Sequence, residues 1–211
     1  FISFNKKIKL INLIKVFIIV LLIISPYVVR NYIHFDQIFI VKSLGYNLWK
    51  GNNQLSPPAG YGDFSNAKFN PINDQLDNLE KNKFYEIKRD QIFFGEAINN
   101  LRKDSFYYFK LFFKKIFSYY FIDLNSNYPN YYNLFHVLPI FLISILSFPG
   151  LFTFFQRNKF ESRCLVLYLF LNLLIFSVFF ILPRYKLIIL PVQIILAAHF
   201  ITYIMKRYGS R

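Results

Sequence analysis

Cysteine is nearly absent from this sequence of 211 residues, in which Cys164 is the only one. A disulfide-stabilised scaffold is therefore excluded, because one thiol cannot form a bridge within the chain. Cys164 lies in an apolar run, so we expect it to be a packing residue. Acidic residues are also scarce: 11 Asp and Glu stand against 25 Lys and Arg, and the formal net charge is +14.

Charged residues are missing altogether from four stretches of the chain. These are 16–29, 124–156, 164–183 and 187–205. Over the whole chain 55% of the residues are hydrophobic and 17% are charged, whereas a soluble domain has about 25% charged residues. Intrinsic disorder is excluded, since apolar runs of this length could not stay solvated. The placement of the charges therefore indicates an integral membrane protein.

Four stretches are long and apolar enough to span a bilayer, which takes about 20 mostly apolar residues. They are 10–29, 134–155, 164–182 and 187–204. The sequence therefore predicts an all-α integral membrane fold with about four transmembrane helices. We expect Pro26 to kink or end the first helix. A signal peptide is the weaker interpretation of this stretch, because Ser25-Pro26-Tyr27 lacks the small-x-small pattern of a cleavage site.

Basic residues cluster on one side of the predicted spans, which indicates that this side is cytoplasmic. They are Lys6, Lys7, Lys9 and Lys15 before the first span, Arg157, Lys159 and Arg163 between the second and third, and Lys206, Arg207 and Arg211 after the fourth. Both ends of the chain would then be cytoplasmic in a bacterial inner membrane. Residues 30–133 would form a large extracytoplasmic loop between the first helix, 1–29, and three helices in 134–211.

Within this loop, the composition changes near residue 82. Residues 30–81 are rich in turn-forming residues, and we expect little regular structure there beyond a strand-like run at Ile38–Val41. Residues 83–121 instead repeat apolar side chains at helical spacing, with basic residues between them. Two interpretations stay open: an amphipathic helix at the membrane interface, or an ordinary helix that packs on the bundle.

Motifs of soluble enzymes are absent, including the phosphate-binding loop and the H-E-x-x-H zinc motif. Three histidines, His34, His136 and His199, lie on different predicted elements, so no metal site is predicted. No cofactor is identified, and a divalent metal is neither indicated nor ruled out. No nucleic-acid partner is expected.

Two groups of residues could bind a ligand. Arg184, Tyr185 and Lys186 lie between the last two spans, where the cations could bind a lipid phosphate or simply anchor the helix ends. The second group combines amide, aromatic and cationic side chains that suit a sugar and equally suit a structured loop. It comprises Arg30, Asn31, Tyr46, Asn47 and Asn52.

Three motifs in this order resemble the bacterial GT-C membrane glycosyltransferases of the glycosyltransferase family 39 type. These enzymes are related to protein O-mannosyltransferases and to the aminoarabinose transferase that modifies lipid A. The motifs are Pro-Tyr-x-x-Arg-Asn-Tyr (26–32) with Gly-Tyr-Asn-Leu-Trp-x-Gly-Asn-Asn (45–53), Glu96-Ala97-Ile98 with Phe106–Lys115, and Leu182–Pro191. They depart from the family in that Tyr27 replaces a usual Trp, and Lys186 stands where Arg is common.

The resemblance implies that this chain is the C-terminal portion of such an enzyme. The family carries its catalytic carboxylates in the first outer loop, so the catalytic residues here are unknown and expected in a missing N-terminal part. The full enzyme would move a sugar from a polyprenyl-phosphate carrier to a lipid, glycan or protein acceptor at the outer membrane face. The fragment alone would be inactive.

The resemblance implies that the donor phosphate is bound by Arg184, Lys186 and Tyr185. It also implies that the cavity is shaped by Arg30, Asn31, Tyr46, Asn47 and Asn52. Alternatives from other classes are a non-catalytic transporter or accessory subunit, and another lipid-linked glycan enzyme such as a polymerase or ligase. A transporter is disfavoured because the centres of the last three spans carry no charge.

Overall fold

The computed structural model of the chain describes residues 6–126, 131–156 and 160–208, and side chains from residue 10 onward. Within this part of the chain every regular element is helical, so the all-α prediction is confirmed. The α-helices are α1 (Lys6–Phe35), α2 (Leu44–Gly51), α3 (Asn70–Asp77), α4 (Tyr85–Lys103), α5 (Ser105–Tyr120), α6 (Leu134–Phe155), α7 (Phe160–Val178) and α8 (Lys186–Tyr208). Short 3₁₀ turns, Ala67–Phe69 and Pro183–Tyr185, precede α3 and α8.

Four of these helices are long and apolar enough to cross a membrane. They cover Leu10–Phe35, Leu134–Phe155, Phe160–Val178 and Pro183–Tyr208. A helix pairs its backbone N–H and C=O groups within itself, and the lipid interior offers no hydrogen-bond partners for them. The chain is therefore a membrane protein with four candidate spans, as predicted. The orientation of the termini stays a prediction, and its markers Arg157, Lys159 and Arg211 lie outside the described residues.

Helix α1 passes through Pro26 and continues to Phe35, so the expectation of a helix end near residue 29 is wrong. A proline at position 26 removes the N–H that would bond the carbonyl of Leu22. The hydroxyl of Ser25 donates to this same carbonyl over 2.9 Å. A neighbouring serine thus satisfies the backbone group that the proline leaves free.

Helices α6 and α8 approach each other closely at Gly150, one of three small buried residues on α6. Ser144, Ser147 and Gly150 recur every three residues and are buried. A Cβ at Gly150 would lie 2.2 Å from the Leu196 carbonyl oxygen. Small residues at such spacing let helix backbones approach each other in membranes.

Helix α7 ends at Val178, four residues before the predicted end of the third span. The following residues, 179–182, leave the helix and contact the segment after α2. The Ile181 amide donates to the Pro58 carbonyl over 2.9 Å, and the Phe179 backbone lies against Gly51. The backbone of this apolar stretch therefore bonds another part of the protein instead of continuing the span.

The segment 30–81 contains more regular structure than predicted, namely α2 and α3, whereas Ile38–Val41 forms no strand. An aromatic core explains the helices. Trp49 of α2 stacks on Phe64 with ring centroids 5.1 Å apart, and Phe93 of α4 packs against both rings. The periodicity of apolar residues in the sequence does not reveal this core, because its residues lie in three separate segments of the chain.

The predicted helix 83–121 is two helices that meet at Asp104. The Asp104 side chain accepts from the Tyr107 amide over 2.9 Å and so caps the start of α5. An aspartate at this position stabilises a new helix start. This capping signal is a single residue, and helical spacing along 83–121 does not reveal it.

Helix α5 has two different faces. Leu111 and Tyr119 are buried, and Tyr119 packs on Phe176 of α7. On another face, Phe106 and Phe109 are 67% and 61% exposed. The packing interpretation is therefore confirmed for one face, and contact of the other face with the membrane interface stays a prediction.

We expect Gly150→Ala to destabilise the protein, because its methyl group would force α6 and α8 apart at a cost of about 1–3 kcal/mol. The matched control is Gly95→Ala on α4, whose added Cβ would meet no atom within 4 Å. This control should gain about 0.5–1 kcal/mol of stability from helix propensity. Thermal unfolding in detergent measures both, and equal effects would contradict the close packing.

Candidate functional site

Two adjoining cavities lie where α5 ends. A small cavity of about 30 Å³ has room for a water molecule or two. A large cavity of about 450 Å³ has the size of a ligand site. Ser118 and Asp123 line both cavities, so these residues form the wall between them.

One face of α5 forms a wall of the large cavity. Tyr107, Lys110, Leu111 and Lys114 line it at spacings of three and four residues, which places them on the same side of a helix. The opposite wall is 55–58 in the segment after α2. The large cavity therefore combines lysine side chains with apolar surface.

Asp123 is buried in the loop after α5, and its backbone is held by tyrosines. Its amide donates to the Tyr131 hydroxyl over 2.8 Å, and the Tyr132 hydroxyl donates to its carbonyl over 3.2 Å. Oδ1 of its carboxyl accepts from the Asn125 amide over 3.1 Å. Oδ2 has no hydrogen-bond partner among the described residues, although it is buried.

Burial raises the pKa of the Asp123 carboxyl, since desolvation disfavours the charged form, while the bond from Asn125 opposes this shift. A carboxyl with a raised pKa and a buried, unpaired oxygen is a candidate functional group, because unpaired buried polar atoms are uncommon in folded proteins. No pattern in the sequence singles out Asp123, because its burial depends on contacts with Tyr131 and Tyr132 in the folded chain.

Lys186, predicted to bind a donor phosphate, lies in the wall of the small cavity. It is buried, and its ammonium donates to the carbonyls of Tyr120 and Phe121. Gln193, about two helical turns further along α8, donates to the same Tyr120 carbonyl over 2.9 Å. Lys186 thus holds the end of α5, and its role in phosphate binding stays a prediction.

Arg184 and Tyr185, the other members of this predicted group, differ from Lys186 in their contacts. Arg184 is exposed, and its guanidinium carbon lies 5.7 Å from the Tyr185 ring centroid. The Tyr185 carbonyl accepts from the Tyr119 hydroxyl over 3.2 Å. Arg184 is therefore accessible to an anionic ligand, whereas Tyr185 also links α5 to the turn before α8.

Asn52, predicted to shape a cavity, instead lies in a buried polar centre with Lys115 of α5. The Lys115 ammonium donates to Asn52 Oδ1 over 2.9 Å. Asn52 Nδ2 donates to the Val178 and Leu48 carbonyls over 2.9 and 2.8 Å. These bonds join α2, α5 and the end of α7. Burial lowers the pKa of Lys115 to about 7.

The remaining predicted cavity residues are not brought into one site. Arg30 is exposed on α1, and Asn31 donates to the carbonyls of Phe39 and Ile40 within the same segment. Tyr46 packs in the aromatic core, and the Asn47 amide donates to Ser43 Oγ over 3.5 Å. None of these four lines the two cavities at the end of α5.

The structure also shows where Cys164, His136 and His199 lie. Cys164 is exposed on α7, so the expectation of a packed thiol is wrong. His136 lines the small cavity, and His199 packs on Phe154. Within the described ranges, no group of three or more His, Cys, Asp or Glu side chains could hold a metal ion.

A comparison of the chain with protein-family models, curated proteins and solved structures finds no match.

We expect Lys186→Met to destabilise the protein, because the buried carbonyls at the end of α5 would lose a hydrogen-bond donor. An unpaired buried group costs about 1–3 kcal/mol. Arg184→Met is the matched control, since Arg184 is exposed and should cost under about 0.5 kcal/mol. Thermal unfolding in detergent measures both, and equal losses would show that Lys186 does not hold α5.

We expect stability to rise with pH above about 7, in part because of Lys115. The unfolded chain keeps this proton up to the ordinary lysine pKa of 10.5, while the folded protein releases it near 7. The unfolded state therefore binds more protons between these values, and raising the pH favours folding.

Thermal unfolding from pH 6.5 to 9.5 tests this expectation. Lys115→Met should show a smaller rise in melting temperature than the wild type, with about 2–4 °C for each kcal/mol of difference. Lys88→Met, an exposed lysine on α4, is the control and should keep the wild-type slope. Equal slopes for all three proteins would contradict a neutral Lys115.

Proposed function

We propose that the chain is the C-terminal part of a membrane glycosyltransferase that moves a sugar from a polyprenyl-phosphate carrier to a lipid, glycan or protein acceptor. The observation that supports this best is the large cavity, which is lined by two lysines of α5 and by Asp123. The resemblance of the three sequence motifs to GT-C enzymes points the same way.

A polyprenyl carrier has a long apolar chain and an anionic head, so its protein needs both apolar and cationic surfaces. Four apolar helices supply the first, and Leu134–Phe155 begins shortly after Asp123. Lys110 and Lys114 supply cations at the cavity. Cations near the phosphate would stabilise the charge that develops when it leaves the sugar.

Arg184 is the accessible cation of the turn before α8, and Pro183 beside it lines the small cavity. Its planar guanidinium can bind a phosphate through two parallel hydrogen bonds. We therefore propose Arg184 as a ligand of the donor phosphate. Lys186 in addition holds the end of α5 through its hydrogen bonds. The site would lie at the outer face of a bacterial inner membrane, and the chain alone would be inactive.

The test uses the longest open reading frame that contains this chain, expressed in bacterial membranes and reconstituted in liposomes. Transfer from a panel of polyprenyl-phosphate sugars should be detectable. Arg184→Ala should reduce it about 10- to 100-fold without changing membrane insertion, because a phosphate ligand is lost. Arg102→Ala, an exposed arginine at the end of α4, is the control.

Several results would count against this proposal. Equal transfer by both arginine variants would leave Arg184 as a helix anchor only. Movement of lipid-linked sugar across the liposome membrane without transfer would support a transporter instead. Joining of lipid-linked glycans to one another would support a polymerase or ligase.

A further inference from the structure

We infer that α5 is a membrane-inserted helix, with four exposed phenylalanines among the lipids of the bilayer and two lysines beside them on anionic head groups. The phenylalanine face of α5 consists of Phe106, Phe109, Phe113 and Phe117. Its partner is therefore a lipid surface. The inference does not depend on the proposed function, because it rests on the surface of α5 and on the attachment of α5 to the candidate spans.

The phenylalanine face lies on the side of α5 that points away from the rest of the protein. Its members are spaced three or four residues apart, which places them together on a helix, and they are between 48% and 67% exposed. The buried residues Tyr108, Leu111, Lys115 and Tyr119 have the same spacing, and at 3.6 residues per turn they lie about half a turn away. A helix in water carries polar side chains on its outer face. An exposed apolar patch of this kind marks a contact with a partner or a membrane.

The C-terminal end of α5 is held at the depth of the membrane-spanning helices. The Tyr120 hydroxyl lies 2.8 Å from Ser147 Oγ of α6, and its carbonyl accepts from Gln193 of α8. Gln193 lies about two turns, or about 10 Å, after the start of α8 at Lys186. Ser147 lies beyond the middle of α6. The end of α5 is therefore level with the interior of two candidate spans.

An unbroken aromatic surface joins the phenylalanine face to an exposed side of α6. The ring centroid of Phe117 lies 5.0 Å from that of Phe121, which lies 6.0 Å from that of Phe148 on α6. Phe148 packs on Phe152 of the same helix, and both are about half exposed. Because α6 is a candidate span, lipid that covers Phe148 would also reach Phe117.

The charges beside the phenylalanine face suit anionic lipid. Residues 105–120 contain no Asp or Glu, and Lys110 and Lys114 are exposed. Neither ammonium lies within 4.0 Å of a carboxylate oxygen among the described residues. The Lys110 ammonium lies 4.2 Å from the ring centroid of Phe106, so this cation borders the phenylalanine face. Interfacial helices combine an apolar face with such cations, which attract the phosphates of anionic lipids.

Fluorescence of the full chain in liposomes of phosphatidylcholine and phosphatidylglycerol tests the position of the phenylalanine face. Cys164→Ser removes the only cysteine, and Phe113→Cys then carries an environment-sensitive fluorophore. We expect blue-shifted emission and loss of most of the signal when the phospholipids carry a nitroxide on the acyl chain. Phe148→Cys should lose a similar fraction, whereas Lys88→Cys, an exposed position on α4, should emit as in water and keep its signal.

Two results would overturn the insertion of α5. The first is water-like emission at position 113. The second is blue-shifted emission without quenching by the lipid nitroxide, which would show that a protein segment or a second copy covers the phenylalanine face. Phe109→Cys repeats the measurement on the same face, and melting temperatures in detergent identify any labelled variant that is not folded.

The charge part of the inference is tested with the nitroxide on one lipid at a time. Labelled phosphatidylglycerol should quench the fluorophore at position 113 more strongly than labelled phosphatidylcholine, with a local excess on the order of 5-fold for each lysine. Lys110→Gln with Lys114→Gln should remove this preference. Lys81→Gln with Lys83→Gln, an exposed pair outside α5, is the matched control and should keep it. Equal quenching by both lipids before substitution, or an equal loss in both double variants, would overturn the role of the α5 lysines.

Discussion

The C-terminal end of α5 is held by two side chains of α8, and the cavities depend on this attachment. Lys186 donates to the Tyr120 and Phe121 carbonyls, and Gln193 donates to the first of these. Helix ends carry unpaired carbonyls and partial negative charge, so a cation there is favourable. Because α8 is a candidate span, these bonds join α5 to the membrane-spanning helices. They therefore also set the position of Asp123, which follows α5 in the chain.

A second buried lysine attaches α5 to α2 and to the end of α7. Lys115 and Asn52 link α2, α5 and the carbonyl of Val178. Both lysines are on or against α5 and both bond neutral oxygens, while Lys110 and Lys114 on the same helix face the large cavity. Helix α5 therefore carries one lysine that holds the fold, Lys115, and two lysines that line the large cavity.

Much of the membrane part could be predicted because lipid constrains it strongly. Apolar length alone identified the helices around residues 134–155 and 187–204. The failures share one cause, which is contact between distant segments. The end of α7 at Val178 follows from bonds to Pro58, and the helix α2 follows from packing of Trp49 on Phe64 and Phe93. Period counting within one window does not register such contacts.

The amino-acid sequence alone predicts an all-α membrane protein and basic side chains that recur through residues 83–121. Apolar length and charge spacing are local properties, and they do not depend on how the helices pack. The burial of Lys186 and the exposure of Arg184, two residues apart, follow instead from the packing of α8 against α5. The folded structure also brings Asp123, Lys110 and Lys114 to the lining of one cavity, because the bend after α5 and the tyrosines that bond the Asp123 backbone set its position.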